Sequence, residues 1–177
     1  MSRSSWALFV GRFQPFHKGH LHAVRFILDR EAQLVITVGS SLSSHEVRNP
    51  FTMGERVEMI LAALNSEKVD RNRYLITGVP DTEFHPSWVT YVLKSVPPIS
   101  RVYTNDPLTS TLFEEEGFKV TAVPLQERNH HSGSEIRRRI VEGEDWSELV
   151  PKPVHELIVA MRGDARIKRI SAAEFSS

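Results

Sequence analysis

Short apolar runs alternate along this chain with longer stretches in which apolar residues recur every three or four positions. Trp6-Ala-Leu-Phe-Val10 and Leu34-Val-Ile-Thr-Val38 are nearly continuous apolar runs, and each is followed by glycine. That is the pattern of parallel strands covered on both faces. Residues 74–77, 101–104 and 118–123 read as three further strands. A first helix is predicted over 18–31, with Leu21, Val24, Ile27 and Leu28 on one face. A second starts at Thr52, an N-cap with Glu55 three residues on, and carries Val57, Ile60, Leu61 and Leu64 as its core stripe. Residues 87–96, ended by Pro97-Pro98, residues 109–116, closed by Gly117, and residues 134–142 give three more, and Pro153 opens a last helix over 154–161. This regular alternation predicts an α/β fold: a parallel sheet of about five strands flanked by helices, with right-handed crossovers.

At 177 residues the chain suits one domain with a substantial core. We expect a single domain over 1–177, with a helical C-terminal part from residue 146 and a flexible tail from residue 163. Lys plus Arg number 22 and Asp plus Glu number 22, so no overall field steers the protein towards nucleic acid or an anionic membrane. The absence of cysteine excludes disulfides, thiolate nucleophiles and cysteine zinc sites. The first six residues lack the apolar segment of a secretory signal, and no apolar run approaches the roughly 18 residues of a membrane span. A soluble cytoplasmic protein is expected.

The candidate chemistry gathers at two strand-to-helix junctions. In Gly11-Arg12-Phe13-Gln14-Pro15-Phe16-His17-Lys18-Gly19-His20 the chain leaves the first strand and enters the first helix. Free N–H groups and the positive end of a helix dipole attract an anion there. His17 and His20, three apart, can face one way at that end, and Gly19 between them lets a ligand approach the backbone closely. Taken alone, two histidines at a helix start also fit capping or surface roles. A metal held by His17 and His20, with His22 nearby, has no other histidine or carboxylate tied to it by sequence. His131-Ser132-Gly133-Ser134-Glu135-Ile136-Arg137 forms a second such junction, with two hydroxyls, a glycine and an arginine one turn inside a helix. G-x-x-x-x-G-K-[ST], G-x-G-x-x-G and H-E-x-x-H are all absent, which speaks against P-loop NTPases, standard dinucleotide dehydrogenases and zinc proteases.

Taken together, G-R-F-Q-P-F-H-K-G-H and H-S-G-S-E-I-R resemble the H-x-G-H and I-S-x-T-x-x-R elements of the nucleotidyltransferases, in a form similar to the archaeal-type nicotinamide-mononucleotide adenylyltransferases. Ser134 stands where the family has threonine, and His131 where it has isoleucine or an aromatic. The segment S-S-L-S-S-H-E-V-R-N-P-F-T-M-G-E-R over 40–56 and P-D-T-E-F-H-P-S-W over 80–88 are similar to the same family, with His85 in place of its asparagine. Thr104-Asn105-Asp106-Pro107 departs from its S-G-N-P.

The resemblance, running from about Trp6 to Lys168, implies a Rossmann-like nucleotidyltransferase converting ATP and nicotinamide mononucleotide to NAD and pyrophosphate. It implies ATP contacts from Gly11, Arg12, Phe13, His17, Gly19, His20, Ser132, Ser134 and Arg137. His17, His20, Arg12 and Arg137 would act on the reacting phosphates, with His20 nearest the reacting centre. Ser40, Arg48, Asp81 and Trp88 would hold the mononucleotide: Arg48 its phosphate, and Trp88 its positively charged ring by stacking. Mg2+ would bridge phosphates largely through water, with no protein ligand. A homo-oligomer is implied too, hexamers being common among archaeal members. The competing readings are transfer to another phosphorylated acceptor, a non-catalytic nucleotide sensor on the same fold, and a structural or interaction protein.

Overall fold

The computed structural model describes residues 5–124 and 132–174, the side chain of Pro86 excepted. The chain divides into two compact units, one of Met1–Gly11, Ala23–Ser41 and Asp70–Pro124, the other of Arg12–His22, Leu42–Val69 and Leu125–Ser177.

The first unit holds five parallel strands: β1 (Trp6–Gly11), β2 (Leu34–Val38), β3 (Tyr74–Gly78), β4 (Ile99–Tyr103) and β5 (Lys119–Thr121), in the order β3-β2-β1-β4-β5. This is the expected parallel α/β arrangement. The order reverses between β1 and β4, where open α/β sheets bind ligands at the carboxyl ends of their strands. Leu8 of β1 pairs in register with Val35 of β2 and Val102 of β4. These three side chains pack with Val89 and Val92 of α3 (His85–Ser95) and Leu112 and Phe113 of α4 (Pro107–Glu115). Burying an aliphatic or phenyl side chain of this kind contributes about 1.5–3 kcal/mol. All five residues of β2 are buried, and Thr37 satisfies its hydroxyl against that of Thr77 on β3, 3.0 Å away.

Helix α1 (Lys18–Leu28) buries Leu21, Val24, Ile27 and Leu28 as expected, but ends three residues earlier than its pattern suggests. The guanidinium of Arg73 takes the carbonyls of Leu28, Glu31 and Ala32 at 2.6, 2.8 and 3.1 Å, satisfying acceptors that one more helical turn would have used. Strand β5 is likewise shorter than its apolar run. The backbone of Val123 exchanges two bonds of 2.9 Å with the Asn105 amide instead of continuing the ladder.

The second unit is helical: α2 (Met53–Ser66), α5 (Gly133–Glu142), α6 (Lys152–Ala160) and α7 (Gly163–Glu174). The Thr52–Glu55 capping box at the start of α2 is present in full. The buried stripe of α2 is Arg56, Met59, Ile60, Ala63 and Leu64, with Val57 and Leu61 half-buried. The expected stripe is therefore rotated by about one residue, because buried Arg56 is satisfied by the carbonyls of Arg12 and Thr52 at 3.0 and 3.2 Å. Helix α5 ends on Gly143 in the left-handed conformation, φ 74°, where glycine carries no Cβ penalty. From residue 163 the expected flexible tail is instead α7, which buries Ile167 and Ser171 and ties Arg166 to Glu55 by two bonds of 2.7 Å. No described helix is long and apolar enough to cross a membrane.

Gly163 allows α7 to start close beside buried Phe51. A Cβ there would lie 2.7 Å from Phe51 Cε1 and 3.3 Å from Ile158. Gly163→Ala is expected to destabilise the protein by about 1–3 kcal/mol, the usual effect of overpacking. Denaturant unfolding checks this: a midpoint equal to that of the parent would show that the packing relaxes freely.

Candidate active site

His17 precedes α1 as its N-cap and His20 is the third residue of the helix. The His17 N–H donates to His20 Nδ1 and the His20 N–H to His17 Nδ1, both at 3.3 Å. This is the reciprocal geometry of a capping box, with imidazoles in place of the usual Ser/Thr and Glu/Gln. A backbone amide can only donate, so both Nδ1 atoms are unprotonated and each neutral ring carries its proton on Nε2.

The two rings stack with centroids 3.6 Å apart, while Phe13 meets the His20 ring edge-on at 4.7 Å and Phe16 lies at 5.4 Å. Burial, and after it the neighbouring His17, holds the pKa of His20 well below the ordinary 6.5. Phe13 itself is buried with φ 52°, a left-handed conformation that costs a non-glycine residue about 1–3 kcal/mol and persists where surrounding contacts fix it.

A pH dependence follows. Because the folded-state pKa of His20 is depressed, its contribution to stability is complete above the unfolded value and is lost as pH falls through the folded one. The melting temperature is expected to fall as pH drops below about 6.5. His20→Gln, whose amide oxygen can accept the His17 N–H without titrating, should flatten that slope. An unaltered slope would place the acid sensitivity in other groups.

Arg137, one turn inside α5, donates from Nη1 to the Gln14 carbonyl at 2.6 Å and from Nη2 to Ser134 Oγ at 3.4 Å. Burial first, then the charges of Arg12 and Arg48, push its pKa down to about 10, so it is still a cation at neutral pH but one crowded by like charge. Among the described residues, none of Arg12, Arg48 and Arg137 pairs with a carboxylate. The next two arginines differ. Arg138 is tied to Glu135, Glu142 and Glu144, and Arg139 to Glu135 at 2.8 Å. Three neighbouring arginines paired with no described carboxylate are the chemistry an anion calls for, and the same unit holds the histidine pair at the N-terminus of α1.

Ser132 caps α5, its hydroxyl accepting from the Glu135 N–H at 3.1 Å, and Gly19 lies half-buried in the first turn of α1. The second unit thus gathers Arg12, Phe13, His17, Gly19, His20, Arg48, Ser132, Ser134 and Arg137. His131 lies outside the described residues.

The first unit carries Gly11, Ser40, Asp81 and Trp88. The Gly11 carbonyl accepts the Gly39 N–H at 2.9 Å, and buried Ser40, with φ 48°, donates its hydroxyl to Asp81 Oδ1 at 3.0 Å. Trp88 is half-buried on α3 and meets Phe113 edge-on at 6.2 Å. His85, the first residue of α3, is exposed.

Gln14, Arg56 and Asn105 have partners that the residues around them do not announce. Each satisfies backbone groups of a distant segment. A polar residue set among apolar ones, as Gln14 is between Phe13 and Pro15-Phe16, is the one sequence signal for such a role.

Residues 8–139 match the family model described as cytidylyltransferase-like. The chain is 44% identical over 165 residues to the nicotinamide-nucleotide adenylyltransferase of Pyrococcus furiosus, covering 93% of this chain and 88% of that protein. The chain belongs to the nicotinamide-nucleotide adenylyltransferase family. The Archaeoglobus fulgidus member is also 44% identical, over 96% of this chain and 99% of its own length. The fold is that of a Francisella tularensis bifunctional NMN adenylyltransferase/ADP ribose pyrophosphatase solved with AMP and a Mn ion. That likeness has a TM-score of 0.76 at 21% identity, over 98% of this chain and 54% of that one. The chain thus spans about half of that bifunctional protein.

Proposed function

We propose that this chain joins ATP and nicotinamide mononucleotide into NAD with release of pyrophosphate. The observation that carries the proposal is the group of three arginines, Arg12, Arg48 and Arg137, mutually close and unpaired with any described carboxylate, in the same unit as the histidine capping box. A phosphate monoester has a second pKa of about 6, so at neutral pH the mononucleotide phosphate is a dianion and needs no general base. One of its oxygens bonds to the α-phosphorus of ATP while the bond from that phosphorus to the oxygen bridging the α- and β-phosphates breaks. The electron pair leaves with pyrophosphate. What the protein supplies is alignment of two polyanions and donors aimed at the charge that builds between them.

His17 and His20 donate from Nε2 to the ATP phosphates, with His20 at the reacting group. Arg12 and Arg137 neutralise the phosphates and pyrophosphate, and Arg48 holds the attacking phosphate. Ser40, Asp81 and Trp88 are assigned to the mononucleotide. The cationic cradle suits an anion rather than a bare metal ion, so no protein ligand is assigned to Mg2+, which would supply charge neutralisation at the nucleotide phosphates.

The test is incubation with ATP, Mg2+ and, separately, nicotinamide mononucleotide, nicotinic acid mononucleotide or flavin mononucleotide, with products resolved by chromatography. NAD and pyrophosphate are expected from the first. If no acceptor is adenylylated although ATP raises the melting temperature, the protein is a nucleotide sensor.

A further inference from the structure

Gln14 joins the loop that bears Arg12 and leads to the two histidines with the loop that bears Arg48. Its buried amide makes two bonds to one residue: Nε2 donates to the Phe51 carbonyl at 3.0 Å and Oε1 accepts the Phe51 N–H at 2.9 Å. Its own carbonyl accepts Nη1 of Arg137 at 2.6 Å.

From Phe51 back to Arg48 the chain has little freedom. Pro50 fixes its own φ. The backbones of Glu46 and Asn49 exchange bonds of 3.1 and 3.2 Å, and the Asn49 amide donates to the Glu46 carboxylate at 3.1 Å. Arg166 steadies the same segment by donating to the Pro50 carbonyl at 3.2 Å. A shift of Phe51 is therefore carried to Arg48 rather than absorbed between them.

We propose that Gln14 is a positioning residue of the transfer reaction. Through Phe51 it sets where Arg48 presents its guanidinium to the attacking phosphate; the bond to Arg137 comes from its backbone carbonyl, which any residue at this position supplies. The inference rests on the function proposed above. The amide group is essential to it, since a donor and an acceptor side by side are needed to hold both polar groups of one residue. Methionine matches its length and can hold neither.

The experiment compares Gln14→Met, Gln14→Ala, Arg48→Ala and the Gln14→Met/Arg48→Ala double variant by steady-state kinetics, with melting temperatures alongside. Gln14→Met is expected to raise KM for the mononucleotide about tenfold while KM for ATP stays within about threefold, the signature of a misplaced binding group. In the Arg48→Ala background it should change KM for the mononucleotide by no more than about twofold, because both substitutions remove one interaction. Additive effects, equal rises in both KM values, or loss of folding in both single Gln14 variants would make Gln14 a structural residue and overturn the proposal. If Arg48→Ala leaves KM for the mononucleotide unchanged, the assignment of Arg48 fails and this inference falls with it. Failure of Gln14→Met alone to raise that KM leaves the functional reading standing.

Discussion

His20→Ala is expected to lower kcat for adenylyl transfer by about two to three orders of magnitude, the usual loss when one preorganised donor to a transition state is removed. The ring is held from both sides. His17 stacks on it at 3.6 Å, Phe13 and Phe16 flank it, and its Nδ1 accepts the His17 N–H at 3.3 Å. That bond commits the proton to Nε2. The imidazole therefore acts as a fixed neutral donor, ready without a change of ionisation, and its depressed pKa keeps it so at physiological pH.

Alanine removes the cap as well as the donor, so stability should fall by about 0.5–2 kcal/mol. His20→Gln separates the two effects. A glutamine at the third helical position restores the reciprocal cap, and it should recover the melting temperature while kcat stays depressed. If kcat of His20→Ala remained within about threefold of the parent, His20 would have no part in stabilising the transition state.

Features of the site that depend on neighbours three or four residues apart were legible in the chain, and those that depend on distant partners were not. The Thr52–Glu55 box and the His17–His20 pair both obey the spacing of a helix start, and both are found there. Glu55 has a second partner, Arg166, 111 residues on, which nothing near Glu55 announces. That ion pair is one reason residues 163–174 form a packed helix where their basic composition suggested a loose tail. The same limit applies to Arg56, whose burial rotates the core stripe of α2. Its acceptor on Arg12 is 44 residues away, and an arginine in a helix otherwise reads as a solvated residue. Among Arg137, Arg138 and Arg139, helical spacing brings Glu135 within reach of the last two. It does not show that Arg137 bonds a carbonyl 123 residues earlier.

Gly133→Ala should open the cradle without unfolding it. A Cβ at this position would lie 2.9 Å from the Gln14 carbonyl oxygen and 3.1 Å from Arg137 Nη1, the two atoms of the 2.6 Å bond between α5 and the loop. Gly133 has no left-handed backbone to preserve, and alanine is favoured over glycine in a helix by up to about 1 kcal/mol, so local propensity gains from the change. The geometry loses. The carbonyl belongs to a backbone that Gln14 itself pins to Phe51, so the tightest contact is relieved by α5 moving back from the loop, which carries the Arg137 guanidinium with it.

Displacing by about 1 Å the cation we assign to the ATP phosphates is expected to lower kcat/KM about a hundredfold. The melting temperature should fall as well, because the clash with the backbone carbonyl costs about 1–3 kcal/mol and the gain in helix propensity offsets only part of it. Combining the change with Arg137→Ala tests the route. If Gly133→Ala acts by displacing that guanidinium, it adds little once the guanidinium is gone, whereas a full further loss would mean that the glycine serves the ligand directly.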